Sequence, residues 1–208
     1  MTCFQTIKEA AVAEFIEKKS RFIGYSMPVK TQDEALQFVE KIKKQNRDAT
    51  HNTFAYLLKT GEKKYSDNGE PQGTAGIPIL NVIEKSNLVD ICIVVTRYFG
   101  GILLGAGGLV RAYSHSAAIA VSSSTIISLK NCLEFQFAFH YTLYGKLSKA
   151  FDNYPLKILS NDFSDKVSTK ILIEKEFFEK FKADMVELSN GKISTAEFKT
   201  NGEYFYQI

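Results

Sequence analysis

Residues 89–113, VDICIVVTRYFGGILLGAGGLVRAY, run from an apolar segment through a glycine-rich loop into a segment of small residues. The stretch at 89–99 is almost continuously apolar, which predicts a strand that is buried on both faces. After the glycine-rich GILLGAGG, the segment LVRAYSHSAAIAV at 109–121 predicts a helix. This strand, loop and helix form the centre of a predicted domain of mixed strands and helices.

Shorter elements precede this unit. The segment RFIGYSMPV at 21–29 predicts a strand, and Thr31 followed by Glu34 forms the capping box of a helix. The segment HNTFAYLLKT at 51–60 predicts a second strand. A long glycine-rich loop at 61–78 and a short helix, PILNVIEKS, complete the prediction up to the apolar strand.

The second part of the chain follows a β-α-β-β-α-β order, which predicts a ferredoxin-like domain. The segment AAIAVSSSTIIS at 117–128 separates the two parts, because serines favour a helix end and β-branched residues favour a strand. We therefore divide the chain into domains at 1–125 and 126–208. The six predicted elements are strands at 132–140, 157–162, 166–174 and 192–200 and helices at 141–153 and 175–190.

The composition is that of an ordinary globular protein. Of the 208 residues, 45% are hydrophobic and 24% are charged, which argues against disorder. No stretch has the roughly 18 apolar residues of a membrane span, and MTCFQTIKEAAVAEF does not resemble a signal peptide. Cys3, Cys92 and Cys132 are too scattered for a disulfide framework or a cysteine zinc site. We expect a cytoplasmic protein with no membrane association, cofactor or metal.

Charge and glycine are distributed unevenly along the chain. The net charge is +3, with 15 Lys and Arg against 12 Asp and Glu up to residue 125 and 11 against 11 beyond it. All four arginines and 10 of the 13 glycines also lie in the first part. Because anion sites use tight backbone turns and guanidinium groups, we expect the functional site there.

The glycine-rich loop is a candidate anion or nucleic-acid site. Glycines before a helix leave free N–H groups beside the positive end of the helix dipole, and an arginine at the strand end can add a phosphate contact. The spacing matches neither a P-loop nor a dinucleotide-binding motif. In the alternative interpretation the glycines permit close packing, Arg97 forms a structural ion pair, and His115 faces solvent. The candidate residues are Arg97, Gly100, Gly101, Gly105, Gly107, Gly108 and Arg111, flanked by His115.

A second candidate surface lies in KKYSDNGEPQGTAGIP, residues 63–78. Asp67 and Glu70 are candidates for a general base pair or for magnesium ligands. Turn and capping roles are the alternative interpretation for Asp67. His51 with Ser66 and Asp67 suggests a serine hydrolase, but the chain has no G-x-S-x-G motif. We therefore assign no catalytic residue.

Four segments give the chain a resemblance to the IMPACT/YigZ family: KKSRFIGY at 18–25, DATHN at 48–52, YSDNGEPQGTAGIPIL at 65–80 and VVTRYFGGILLGAGGLVRAY at 94–113. The resemblance covers nearly the whole chain. It implies an α+β fold class, with an N-terminal α/β domain similar to domain two of ribosomal protein S-five, followed by a C-terminal ferredoxin-like domain. It also implies contact with RNA or the ribosome, since translation factors place this pair of domains against ribosomal RNA.

The resemblance also implies a functional surface and a class of partner. That surface comprises His51, Asp67, Glu70, Arg97, Gly100, Gly101 and Arg111, and family members often have lysine where this chain has Leu103. Eukaryotic relatives regulate translation by competing for the activator of a stress kinase. We therefore expect a non-enzymatic protein that binds RNA or the ribosome and modulates translation. A small hydrolase or peptidase and a protein-interaction module are the alternatives, and the oligomeric state stays open.

Overall fold

The computed structural model describes residues 3–207, and contacts between residues divide the chain into two units. Residues 4–128 form the first unit, and residues 129–207 together with Cys3 form the second. The strands are β1 (Cys3–Ile7), β2 (Ala11–Glu17), β3 (Ser20–Pro28), β4 (His51–Leu57), β5 (Lys63–Ser66), β6 (Ile91–Tyr98), β7 (Ile126–Phe139), β8 (Leu156–Phe163), β9 (Val167–Glu174) and β10 (Lys199–Tyr206). The helices are α1 (Gln32–Gln45), α2 (Gly76–Lys85), α3 (Ala106–Ser122), α4 (Tyr144–Phe151) and α5 (Phe178–Leu188).

The sheet of the first unit has helices on both of its faces. Its strand order is β2-β3-β6-β4-β5, and each neighbouring pair is antiparallel. Along the central β6, Ile91, Ile93 and Val95 pack into the core with α2 and α3. The alternate residues Cys92 and Val94 pack into the core with α1. The predicted strand that is buried on both faces is therefore confirmed.

The predicted capping box at the start of α1 is also present. The Thr31 hydroxyl accepts a hydrogen bond from the backbone N–H of Glu34 at 3.2 Å. The Glu34 carboxylate reaches back one residue further than expected and accepts from the N–H of Lys30 at 2.6 Å. The two bonds satisfy backbone donors that a helix start otherwise leaves free.

Two predicted boundaries around the glycine-rich segments are wrong. The loop predicted at 61–78 contains β5, which pairs with β4 from Leu57 opposite Lys63 to Phe54 opposite Ser66. The helix predicted from residue 109 begins three residues earlier, because Gly105 adopts φ 74° as its N-cap. Gly107 and Gly108 therefore lie inside the first turn of α3 and not in the loop.

The second unit has the ferredoxin-like arrangement. Its strands lie in the order β10-β7-β9-β8, and each pair is antiparallel. One face of the sheet packs with α4 and α5 around an aromatic core that includes Phe135, Phe137, Phe151, Phe181 and Phe198. The predicted fold class, α+β with an N-terminal unit like domain two of ribosomal protein S-five and a ferredoxin-like unit after it, is confirmed.

Strand boundaries in this unit differ from the prediction at both ends. The strand expected to start at Thr125 and the strand predicted at 132–140 form one continuous strand, β7, which begins at Ile126. The strand predicted at 192–200 lies instead at Lys199–Tyr206, so only its last two residues coincide. Ile193 and Phe198 are buried in the core before the strand begins, and Ile193 N–H donates to the Ser189 hydroxyl at 3.1 Å. Apolar residues in this segment therefore serve packing and not strand pairing.

Candidate nucleic-acid interface

A hairpin turn brings two lysines to one end of the first unit. β2 and β3 pair from Ala11 opposite Ser26 to Glu17 opposite Ser20, which leaves Lys18 and Lys19 as the two turn residues. Both have positive φ, 46° and 64°. Two positive φ values are the hallmark of the hairpin turn that usually carries Asn-Gly, and each costs a lysine conformational energy. The turn holds two cations side by side at an exposed tip.

Gly100 places the glycine loop directly against this hairpin turn. A Cβ atom on Gly100 would lie 2.0 Å from the backbone carbonyl carbon of Lys19, so no other residue fits without movement. The Gly100 N–H also donates to the Ser20 hydroxyl at 3.2 Å. The loop that leads into α3 and the lysine turn therefore form one surface, which we call the basic surface (Lys18, Lys19, Gly100–Gly108 and Arg111).

The first turn of α3 faces this surface with few local partners for its N–H groups. Gly105, the N-cap, offers no side chain to accept a hydrogen bond, and the first turn contains no acidic residue. Arg111 extends back along this turn, since its Nη1 atom lies 3.7 Å from the Cβ position of Gly107. The positive end of the α3 helix dipole and the Arg111 guanidinium thus lie next to each other at the start of α3.

Lys18 and Arg111 border the same concavity of about 310 Å³, the α3 concavity, which is also lined by Phe15, Glu17, Leu104, Gly108, Ala112 and His115. Within residues 3–207, neither Lys18, Lys19 nor Arg111 has a carboxylate within ion-pair distance. The nearby Arg21, by contrast, pairs with Glu14 at 2.6 Å. Three cations of the basic surface are therefore available to a ligand.

Arg97, expected to be a principal cation of the anion site, is buried. Only 5% of the residue is exposed, and its guanidinium donates to the Glu70 carboxylate at 2.7 Å. The guanidinium also lies 5.4 Å from the ring centre of Phe22 and 5.5 Å from that of Phe99. This geometry revises the expectation, because a guanidinium enclosed by a carboxylate and two rings has no free fork for a phosphate.

Glu70 is the centre of this buried network. Its Oε1 atom accepts from Arg97 and from the Tyr113 hydroxyl at 2.6 Å, and the His51 Nε2 atom lies 3.8 Å away. Burial, and next the hydrogen bond to Glu70, raises the pKa of Tyr113 above its ordinary value. The network joins the loop at 67–76 to β6 and α3, which gives Glu70 a structural role.

The loop around Asp67 does not assemble a hydrolase triad. Asp67 accepts three backbone N–H bonds, from Gly73 at 2.8 Å, Ala75 at 3.0 Å and Gly76 at 2.8 Å. The His51 Nδ1 atom faces the Asn68 carbonyl at 2.8 Å, and the Ser66 hydroxyl accepts from the Asn68 N–H at 3.2 Å. The carboxylate that would orient the imidazole is thus committed to shaping the start of α2.

The part of the chain that the structure describes contains neither a cluster of metal ligands nor a membrane-spanning helix. Among residues 3–207, no group of three or more His, Cys, Asp or Glu side chains converges as a metal site would require. No helix in this range is long and apolar enough to cross a membrane. Cys92 is buried, and its burial raises the pKa of the thiol above the ordinary value, which makes it a poor nucleophile.

Of the residues that sequence reasoning identified, the structure brings Gly108, Arg111 and His115 together at the α3 concavity and places Gly100 against the lysine turn. His115 is exposed, and its ring meets that of Phe15 edge-on at 4.6 Å. Lys18 and Lys19 were not singled out as site residues. The two-residue spacing between β2 and β3 was the available signal, but the turn lacks the Asn and Gly that normally mark it.

Comparison with family models identifies two regions of the chain. Residues 18–121 match the Impact N-terminal domain. Residues 137–192 match a domain of unknown function, DUF1949. The first match contains all residues of the basic surface, together with Glu70 and Arg97.

Similar proteins extend over one or both units. IMPACT family member YvyE of Bacillus subtilis is 40% identical over 194 residues, which cover 92% of this chain and 89% of that protein. IMPACT family member YigZ of Escherichia coli is 31% identical over 180 residues, which cover 85% of this chain and 88% of that protein. Protein IMPACT of Rattus norvegicus is 32% identical over 98 residues, covering 45% of this chain and 31% of that protein. A crystal structure of a hypothetical protein matches with a TM-score of 0.64 and 27% identity, and the match covers 97% of this chain and 98% of that protein's chain.

Proposed function

The chain belongs to the IMPACT family, and we propose that it is a non-enzymatic protein that binds RNA on the ribosome and thereby modulates translation. The observation that carries the proposal is a set of three cations around the glycine-rich start of α3, Lys18, Lys19 and Arg111, none of which has an ion-pair partner within residues 3–207. A partner of this kind also places the protein in the cytoplasm.

The mechanism is electrostatic. Phosphate groups displace their counterions when lysine and arginine side chains approach them, so binding gains free energy without reading the base sequence. The N–H groups at the start of α3 add donors that point in the same direction. Gly105 lets a phosphate approach the start of α3, because a Cβ atom at this position would meet no atom within 4 Å and the glycine leaves that space empty.

The buried Arg97 and Glu70 are connected to the basic surface through Ser20. Ser20, which accepts from Gly100, also lies 3.4 Å from Nη2 of Arg97 as an acceptor. Arg97 is thereby linked to the residue that begins β3, directly after the lysine turn. In the proposed function Arg97 is a positioning residue and not a phosphate contact.

A protein partner is the second candidate, and one observation favours it. The loop between β6 and α3 exposes three large apolar side chains, Phe99, Ile102 and Leu103, and Leu103 is 81% exposed. Exposed apolar side chains that lie together are typical of contact surfaces. A protein contact through this loop would survive high salt and nuclease, whereas phosphate contacts would not.

The test is co-sedimentation with ribosomes from the source cell at low and high salt. We compare the wild type with the double variant Lys18→Gln, Arg111→Gln. The matched control is Lys44→Gln, Arg47→Gln, which removes the same charges from exposed positions at the end of α1, the helix on the opposite face of the sheet.

We expect the wild type and the control to sediment with ribosomes at low salt, and the Lys18, Arg111 variant to stay in the supernatant. No co-sedimentation of the wild type at low salt would overturn the proposal. Equal loss in both double variants would also contradict it, because net charge and not the basic surface would then be responsible. Binding that resists high salt would favour the protein partner.

A further inference from the structure

The α3 concavity has a form that phosphate binding alone does not require. Its volume of about 310 Å³ lies at the lower end of the range for small-molecule sites. Lys18 and Arg111 border it, and apolar groups of Phe15, Leu104 and Ala112 form part of its wall. A bare phosphate would need only the cations, and an apolar ligand would need only the wall.

The aromatic part of the wall is fixed in place. The Phe15 ring stacks on the buried Phe22 ring with centres 5.2 Å apart and planes 16° apart. His115 meets the Phe15 ring edge-on, with planes 89° apart. The imidazole therefore stands at the border of the concavity beside a ring that cannot turn freely, and it offers hydrogen-bonding nitrogens to a polar ring edge.

Charge around the concavity favours an anionic group. Among the described residues that line it, Glu17 is the one carboxylate, and it is outnumbered by the ammonium of Lys18 and the guanidinium of Arg111. Across the described range, no carboxylate lies within ion-pair distance of either cation. Arg111 keeps its planar fork, which suits a phosphate better than a lysine does.

We infer that the α3 concavity binds one nucleotide unit, with the phosphate on Arg111 and Lys18 and the base against Phe15, Leu104 and His115. This inference rests on the proposed function and deepens it. Proteins read single-stranded RNA by taking an unstacked base into such a slot, while cations hold the backbone. A nucleotide of an RNA strand and a free nucleoside monophosphate share this chemistry.

The test uses adenosine 5′-monophosphate as the probe, with titration calorimetry for affinity and backbone amide NMR shifts for location. Adenosine, ribose 5-phosphate and inorganic phosphate are the three controls for its parts. We expect shifts at Leu104, Gly108, Ala112 and His115 with the monophosphate. Each partial probe should bind at least about tenfold more weakly, since each lacks a contact that is worth 1.4 kcal/mol or more.

Variants at exposed positions separate the two halves of the site without endangering the fold. Arg111→Gln should lower the affinity for the monophosphate by about 10-fold or more and leave the affinity for adenosine unchanged. His115→Ala should lower the affinities for adenosine and for the monophosphate by the same factor and leave the affinity for inorganic phosphate unchanged. Arg47→Gln, an exposed arginine outside the concavity, is the matched control and should change none of these affinities.

Competition with a single-stranded RNA oligonucleotide distinguishes the source of the nucleotide. Displacement of the monophosphate by RNA supports the inference as stated. If RNA binds but the monophosphate neither binds nor shifts these amides, the inference is overturned and the proposed function stands. If the monophosphate binds and RNA does not, the concavity takes a free nucleotide and the proposed function fails. If neither binds, both are overturned.

Discussion

Arg97 and Arg111 stand fourteen positions apart and belong to the same sequence motif, yet the fold gives them opposite surroundings. Arg97 is enclosed by Glu70, Phe22 and Phe99, whereas Arg111 is exposed beside an open concavity. The difference shows that an arginine beside glycines is not in itself a phosphate site. The two differ in whether the fold supplies a carboxylate: within residues 3–207, Arg97 pairs with Glu70 and Arg111 has no such partner.

The largest effect that separates the two arginines is on stability. Arg97→Gln should lower the free energy of unfolding by about 3–5 kcal/mol, because it leaves the Glu70 carboxylate buried without its cation. Urea denaturation followed by circular dichroism measures this. The double variant Glu70→Gln, Arg97→Met removes both charges and should regain a large part of the loss. A change below about 1 kcal/mol in Arg97→Gln would show that Arg97 is not a structural residue.

Two glycines, one in the loop and one in the first turn of α3, sharpen the same contrast through smaller effects on stability. Gly100→Ala should destabilise the protein by about 1–3 kcal/mol, because the new Cβ would overlap the backbone of Lys19. Gly107→Ala is the matched control, since its Cβ would meet Arg111 at an ordinary 3.7 Å. The control should change stability by less than about 1 kcal/mol, in the stabilising direction. Equal effects in thermal denaturation would argue against close packing of loop and hairpin.

The buried network also predicts an alkaline loss of stability. The pKa of Tyr113 is raised in the folded protein, so above about pH 10 the unfolded chain releases a proton that the folded chain keeps. The stability that the protonated Tyr113 hydroxyl contributes is fully present below pH 10 and is lost as the pH rises further. Relative to Tyr113→Phe, the wild type should therefore lose up to about 1.4 kcal/mol per pH unit between pH 10 and 11. Parallel pH profiles in urea denaturation would contradict the burial of this hydroxyl.

Much of the fold followed from periodicity and composition. The continuous apolar run of β6 predicted burial on both faces because both sets of alternating residues need cover. The order of elements in the second unit predicted the ferredoxin-like sheet. β5 was missed because the four residues KKYS carry no apolar alternation, and their pairing with β4 depends on a partner strand elsewhere in the chain.

The sequence predicted the residue types of the candidate site, but it did not predict which arginine is buried and which is exposed. The glycines and Arg111 that the sequence singles out lie at the basic surface, and their part in binding stays a prediction. The partner of Arg97 lies 27 residues away in a loop, and no local pattern records which carboxylate will meet which arginine. Lys18 and Lys19 became visible only through the pairing of β2 with β3, which places a turn of unusual composition against Gly100.

The most direct test of the account is the salt dependence of RNA affinity in Arg111→Gln, Lys18→Gln and Arg47→Gln, measured with one single-stranded oligonucleotide. We predict that the first two variants each reduce the slope of log affinity against log salt by about 0.7, the value for one lost phosphate contact on a single strand. Arg47→Gln should keep the slope of the wild type. An unchanged slope in Arg111→Gln and Lys18→Gln would contradict the claim that the basic surface holds RNA phosphates.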